Sequence, residues 1–114
     1  MLSQEALNTF GADYKKGMER CMNMEAFYFR MIRMAAADQG YDKLDAAVRA
    51  GDLKAGFEAA HALKGVLGNL ELTALYVPVS AVTELLRKEE PADYAPYLEE
   101  ILKKRDELKA LCEL

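Results

Sequence analysis

The run Leu53-Lys54-Ala55-Gly56-Phe57-Glu58-Ala59-Ala60-His61-Ala62-Leu63-Lys64-Gly65-Val66-Leu67-Gly68-Asn69-Leu70 decides the reading of this chain. Wound as a helix at about 100° per residue, it collects Ala59, Ala60, Leu63, Val66, Leu67 and Leu70 on one apolar face. His61, the sole histidine, then lies roughly 170° from the middle of that face, so its imidazole points to water. Gly65 and Gly68 follow it one and two turns on, with Lys64 beside them. A glycine on a helix surface costs about 1 kcal/mol relative to alanine. The simplest reason to carry two is that something bulky must approach His61 over a flat surface. Gly51-Asp52 marks the start of this helix: glycine ends one helix and aspartate caps the next.

Outward from this run the helical period persists. Toward the N-terminus, Ser3 to Phe10 with Ser3 as cap and Gly11 as stop predicts a short helix. Asp13 caps a second, Tyr14 to Met22, which Gly17 weakens. Asn23 is placed to cap Met24 to Ala37, whose Phe27, Met31, Met34 and Ala35 form an apolar stripe. Asp38-Gln39-Gly40 breaks or kinks the chain, and Tyr41 to Ala50 turns Tyr41, Leu44, Ala47 and Val48 inward. Toward the C-terminus, Thr73 is the expected cap of a helix to about Lys88 that buries Leu75, Val79, Val82, Leu85 and Leu86. Pro78 within it predicts a kink or a late start near Val77. Beyond the charged turn Lys88 to Ala92, Asp93 caps a last helix carrying Tyr97, Leu98, Ile101, Leu102, Leu108 and Leu111, with Pro96 tolerated in its first turn. Strand patterns are nearly absent. The expected fold is all-α: an up-down-up-down antiparallel four-helix bundle over residues 24–114, with short extra N-terminal helices in residues 1–22 covering one end, all within one domain spanning residues 1–114.

Composition narrows the function. A chain of 114 residues can bury a core without metal or disulfide support. A net charge of −4, from 15 basic and 19 acidic residues, argues against a nucleic-acid partner. Cys21 and Cys112 lie far apart and form no zinc pattern, so they read as small buried apolar residues. No apolar run reaches the length of a membrane span, and the longest, Ala26 to Ala37, is interrupted by Arg30 and Arg33. With two thiols and no signal-peptide pattern, a cytoplasmic location is expected. Met18, Met22, Met24, Met31 and Met34 read as core filler, and Lys103-Lys104-Arg105-Asp106-Glu107 as a solvated helix face.

An ordinary imidazole is mostly uncharged near neutral pH and keeps a free lone pair, so an exposed one is a ready nucleophile. Lys64 on the adjacent turn is a compact positive charge suited to holding phosphoryl oxygens. Lys54, two turns earlier, adds attraction for an acidic partner, and Phe57 at i−4 supplies an exposed apolar patch, which together read as a docking surface. Glu58, at i−3, is within reach of the ring, but most such pairs are incidental. There is no second base, no metal-ligand cluster and no glycine-rich nucleotide loop, which argues against a hydrolytic, metal-dependent or self-phosphorylating enzyme. A small group passed between two protein surfaces fits better than a bound metabolite.

The string His61-Ala62-Leu63-Lys64-Gly65 resembles the H-x-L-K-G motif of the histidine-containing phosphotransfer (HPt) family. The resemblance extends to Ala46 through Asp52 before the motif and to Gly68-Asn69-Leu70 after it. It implies a phosphorelay intermediate: His61 accepts a phosphoryl group from a receiver-domain aspartate through its outer ring nitrogen and passes it to another receiver. By the same resemblance Lys64 helps to neutralise the phosphate, while Gly65 and Gly68 leave clearance. The implied partners are response-regulator receiver domains or a hybrid histidine kinase. Magnesium would come with the receiver, with no cofactor on this chain, and the carrier is expected to be a monomer without kinase activity of its own. One departure stands out: the family often has glycine after the Asn-Leu pair, where this chain has Glu71, so the helix is expected to end differently and partner choice to be affected. The alternative belongs to another class, a helical interaction module that keeps the docking face but carries no phosphate.

Overall fold

Apolar residues repeating at helical spacing leave helices as the way to satisfy the backbone. The computed structural model, which describes residues 1–114, contains seven helices and no strand. They are α1 (Gln4–Phe10), α2 (Tyr14–Arg20), α3 (Glu25–Ala36), α4 (Gly40–Arg49), α5 (Leu53–Asn69), α6 (Thr73–Arg87) and α7 (Ala95–Leu111). Helix α4 packs on α5, α5 on α6 and α6 on α7, and α7 returns to touch both α3 and α4. Short connections force each reversal, and the ring that results is compatible with the up-down-up-down order expected. Helix α4 runs along α5, and α3, on the other side of the break, meets the residue that ends α5. Val48 lies against Gly56, Leu63 against Gly40, and the Tyr28 hydroxyl donates to the Leu70 carbonyl at 2.8 Å. The break is itself bonded: Asp38 Oδ1 accepts from the Gly40 N–H at 2.7 Å, and the Tyr41 hydroxyl donates to the Ala35 carbonyl at 3.1 Å. Leu44, Leu63, Leu67, Leu75, Leu86, Ile101 and Leu108 fill the interior. No helix is long and apolar enough to cross a membrane.

Helix α3 presents a different face from the one its apolar stripe predicts. It buries Tyr28, Ile32, Ala35 and Ala36, and leaves Phe27 and Met34 exposed, by 41 % and 58 %. The cause is tertiary. A Cβ at Gly17 would overlap the Tyr28 ring, so the glycine that weakens α2 is the socket for this tyrosine. Rings of Tyr14 and Phe29 close the cluster, with centroids 6.0 and 6.2 Å from that of Tyr28. Met22 and Met24 are exposed as well, so only Met18 and Met31 of the five methionines pack against the core. Both cysteines are buried and unpaired.

Several helix ends also differ from their sequence signals. Asn23 does not cap α3; it sits at φ 56° in the tight turn that follows α2, and Met24 precedes the helix without a side-chain cap. Thr73 is the first residue of α6, after Leu72. One of the free N–H groups there is met from outside the helix, the Gly11 carbonyl accepting from the Ala74 N–H at 2.9 Å. Helix α6 runs through the buried Pro78 with no late start. Ser3, Asp13 and Asp52 do cap α1, α2 and α5, each side chain accepting a backbone N–H three residues on. Asp93 accepts from the Ala95 N–H at 3.2 Å, one residue outside the Tyr94 cap of α7.

Candidate functional site

Helix α5 is fixed from beneath and at both ends. Ala60, Leu63 and Leu67 are buried, Asp52 caps its start, and its end is a Schellman turn. In that turn the Leu72 N–H donates to the Leu67 carbonyl at 3.0 Å and the Glu71 N–H to Gly68 at 3.2 Å. Glu71 occupies the left-handed position at φ 56°, where a glycine would sit without strain. The helix therefore ends as a glycine-terminated one does. Glu71 is held there from two sides: its carbonyl accepts the Asp13 N–H at 2.9 Å, and its carboxylate pairs with Arg20 at 2.9 Å.

On this rod His61 is exposed, as the wheel requires. Its ring lies nearly parallel to that of Phe57, centroids 5.5 Å apart at 18°. Phe57 is thus not a free apolar patch. It is half-buried against the core, and the Arg87 guanidinium lies 4.9 Å from its ring centre. Stacking on Phe57 orients the imidazole, while Glu58 points to solvent. Lys64 is half-buried, its Nζ 3.7 Å from Glu84 Oε1. Glu84 reaches Arg87 Nε with its other oxygen at 3.3 Å. One carboxylate of α6 therefore bridges a cation from each of the two helices.

The two glycines separate in role. A Cβ built at Gly65 meets no atom within 4 Å, so nothing inside the molecule requires glycine there. One built at Gly68 lies 3.1 Å from the Tyr76 ring, so that glycine gives room to a neighbour in the same fold rather than only to a visitor. Lys54 is exposed at the start of α5, outside the cluster around His61. Beside the imidazole a shallow cleft of about 510 Å³ runs along Lys64, Gly65 and Gly68 to Tyr76, with Arg20 and Glu71 on its lining. Nowhere do three or more His, Cys, Asp or Glu side chains gather as a metal site would need.

Arg20, Tyr76, Glu84 and Arg87 have no signal in the motif. Their placement follows from the short α5–α6 turn, which folds the two helices back on each other so that Phe57 meets Arg87 and Gly68 meets Tyr76. A reader of the sequence could have reached Glu84 and Arg87 only by assuming that register.

The Hpt domain family matches residues 29–113 of the chain. No curated protein and no solved structure matches it. A family match over most of the chain, a helical bundle, and an exposed histidine followed by lysine and an unobstructed glycine converge: the chain belongs to the Hpt domain family, the phosphocarrier modules of two-component signalling.

Proposed function

We propose that this protein carries a phosphoryl group on His61 between receiver-domain aspartates. The observation that carries the reading is the exposed His61 beside an empty space at Gly65, with the Lys64 cation on the same face. The lone pair of the outer imidazole nitrogen attacks phosphorus of an aspartyl phosphate. The N–P bond forms as the P–O bond to the carboxyl group breaks, and the aspartate leaves as carboxylate with that electron pair; the reverse sequence loads the next receiver. Such transfer is mostly positioning and charge neutralisation. Phe57 supplies the first by fixing the ring plane, and Lys64 the second. The receiver brings the aspartate and its magnesium ion. Gly65 lets the receiver's acidic pocket close over the ring, and exposed Lys54 lies on the side from which a negatively charged surface is attracted.

The test is incubation with a phosphorylated receiver domain. Base-stable, acid-labile label should accumulate on the protein and vanish with His61→Gln. Binding without label from any receiver would reject the carrier reading and leave that of an interaction module.

A further inference from the structure

We propose that Glu84 is the resident counter-ion of a dianion site formed by Lys64 and Arg87, and that a phosphoryl group arriving at His61 displaces it. The inference rests on the carrier reading for its biological occasion, but the site is defined by geometry alone. Glu84 divides its two oxygens between Lys64 Nζ at 3.7 Å and Arg87 Nε at 3.3 Å. The contacts of Phe57 with Arg87 and of Gly68 with Tyr76 set the register of α5 against α6. That register places Glu84 about level with His61. Long side chains on a helix lean toward its N-terminus, so in reaching Glu84 the Lys64 ammonium is drawn back toward the imidazole. Phe57 contacts both His61 and Arg87, so the guanidinium lies one aromatic ring away from the imidazole.

These pairs are built to exchange. Side-chain exposures of 28 % for Lys64, 53 % for Glu84 and 50 % for Arg87 put them in the class of ion pairs that contribute little individually. A phosphoryl group brings about −1.5 to −2 charge and three acceptor oxygens. It is a stronger partner for two cations than one carboxylate, and it repels that carboxylate. Loading then releases Glu84 to solvent and hands Lys64 and Arg87 to the phosphoryl oxygens. Unloading returns them. Glu84 thereby favours the empty state and makes the carrier a readier donor than its cations alone would allow.

The probe is inorganic phosphate, titrated at low salt into the wild type and variants and followed by NMR at His61 and at the Lys64 and Arg87 amides. Glu84→Gln should bind phosphate about fivefold more tightly, the scale expected for removing one charge some 8 Å from a dianion in a water-like medium. Glu84→Asp, which keeps the charge, should stay near wild type. In a Lys64→Gln/Arg87→Gln background the gain from Glu84→Gln should shrink to twofold or less. Equal affinity of wild type and Glu84→Gln, or an undiminished gain without the two cations, would overturn the proposal. Because free phosphate needs no receiver, failure of the transfer assay would reject the carrier reading while this titration still decides the role of Glu84.

Discussion

Gly65→Ala separates what the fold needs from what a visitor needs. With no atom within 4 Å of the added Cβ, the substitution meets no internal obstacle. The helix should therefore gain close to the full glycine-to-alanine difference, about 0.8–1.0 kcal/mol. For a chain of this size that is a rise in Tm of roughly 3–4 °C, readable by circular dichroism. Transfer should move the other way. A methyl group on the approach path displaces the incoming receiver by about the 1 Å that is enough to cost on the order of 100-fold in a positioning-limited reaction. Gly68→Ala is the internal control. Its Cβ would press on Tyr76 at 3.1 and 3.4 Å, so the helix gain is offset and stability should stay within about 0.5 kcal/mol of wild type. The assay is single-turnover transfer of label from a phosphorylated receiver, run beside thermal unfolding. A more stable Gly65→Ala protein that transfers at the wild-type rate would refute the clearance argument. A less stable one would show that the space at Gly65 is not empty.

Gly17→Ala should destabilise the fold by about 2–4 kcal/mol despite better helix propensity, because the Tyr28 ring must move and its bond to the Leu70 carbonyl is strained or lost; urea unfolding measures it. Asp52→Ala removes the side chain that caps α5 and should cost about 1 kcal/mol, with a matching fall in Tm. Burial raises the phenol pKa of both Tyr28 and Tyr41 above its ordinary value of 10.0. The unfolded chain therefore releases these protons first, and stability present below pH 10 should fall steadily as the pH rises beyond it. Chemical denaturation across alkaline pH tests this, and a Tyr41→Phe variant, which removes one of these buried phenols, should show a shallower decline.

How far the sequence can be read depends on whether a residue's role is set within its own helix. Asp52, Ser3 and Asp13 act on N–H groups three residues away, and all three are legible as caps. The α5 face is legible too, since six apolar residues converge on one side and the turns after His61 on the other side offer only alanine, lysine and glycine. Helix α3 fails for the opposite reason. Glu25–Ala36 is apolar nearly all round, so stripes beginning at Phe27 and at Tyr28 are equally consistent with a helical period. The choice is made by Gly17 and by the Leu70 carbonyl, which are distant in sequence. Thr73 fails likewise, since one of the N–H groups at that helix start is met by Gly11. In the site, the motif points to His61, Lys64 and Gly65, but it says nothing of the α6 residues that hold Lys64, because they depend on interhelical register.

The ties around Glu71 and Tyr28 bear on how this polypeptide can be shortened. Gly11, Asp13, Gly17, Arg20 and the tyrosine itself all precede residue 29, where the family match begins. A fragment trimmed to that match would leave the far end of the histidine-bearing rod unbraced, its left-handed glutamate without either anchor, and the leucines beneath open to water. Such a truncate would keep the whole motif and still be prone to fray and clump. Its silence in a transfer assay would report a frayed scaffold, not an inert imidazole.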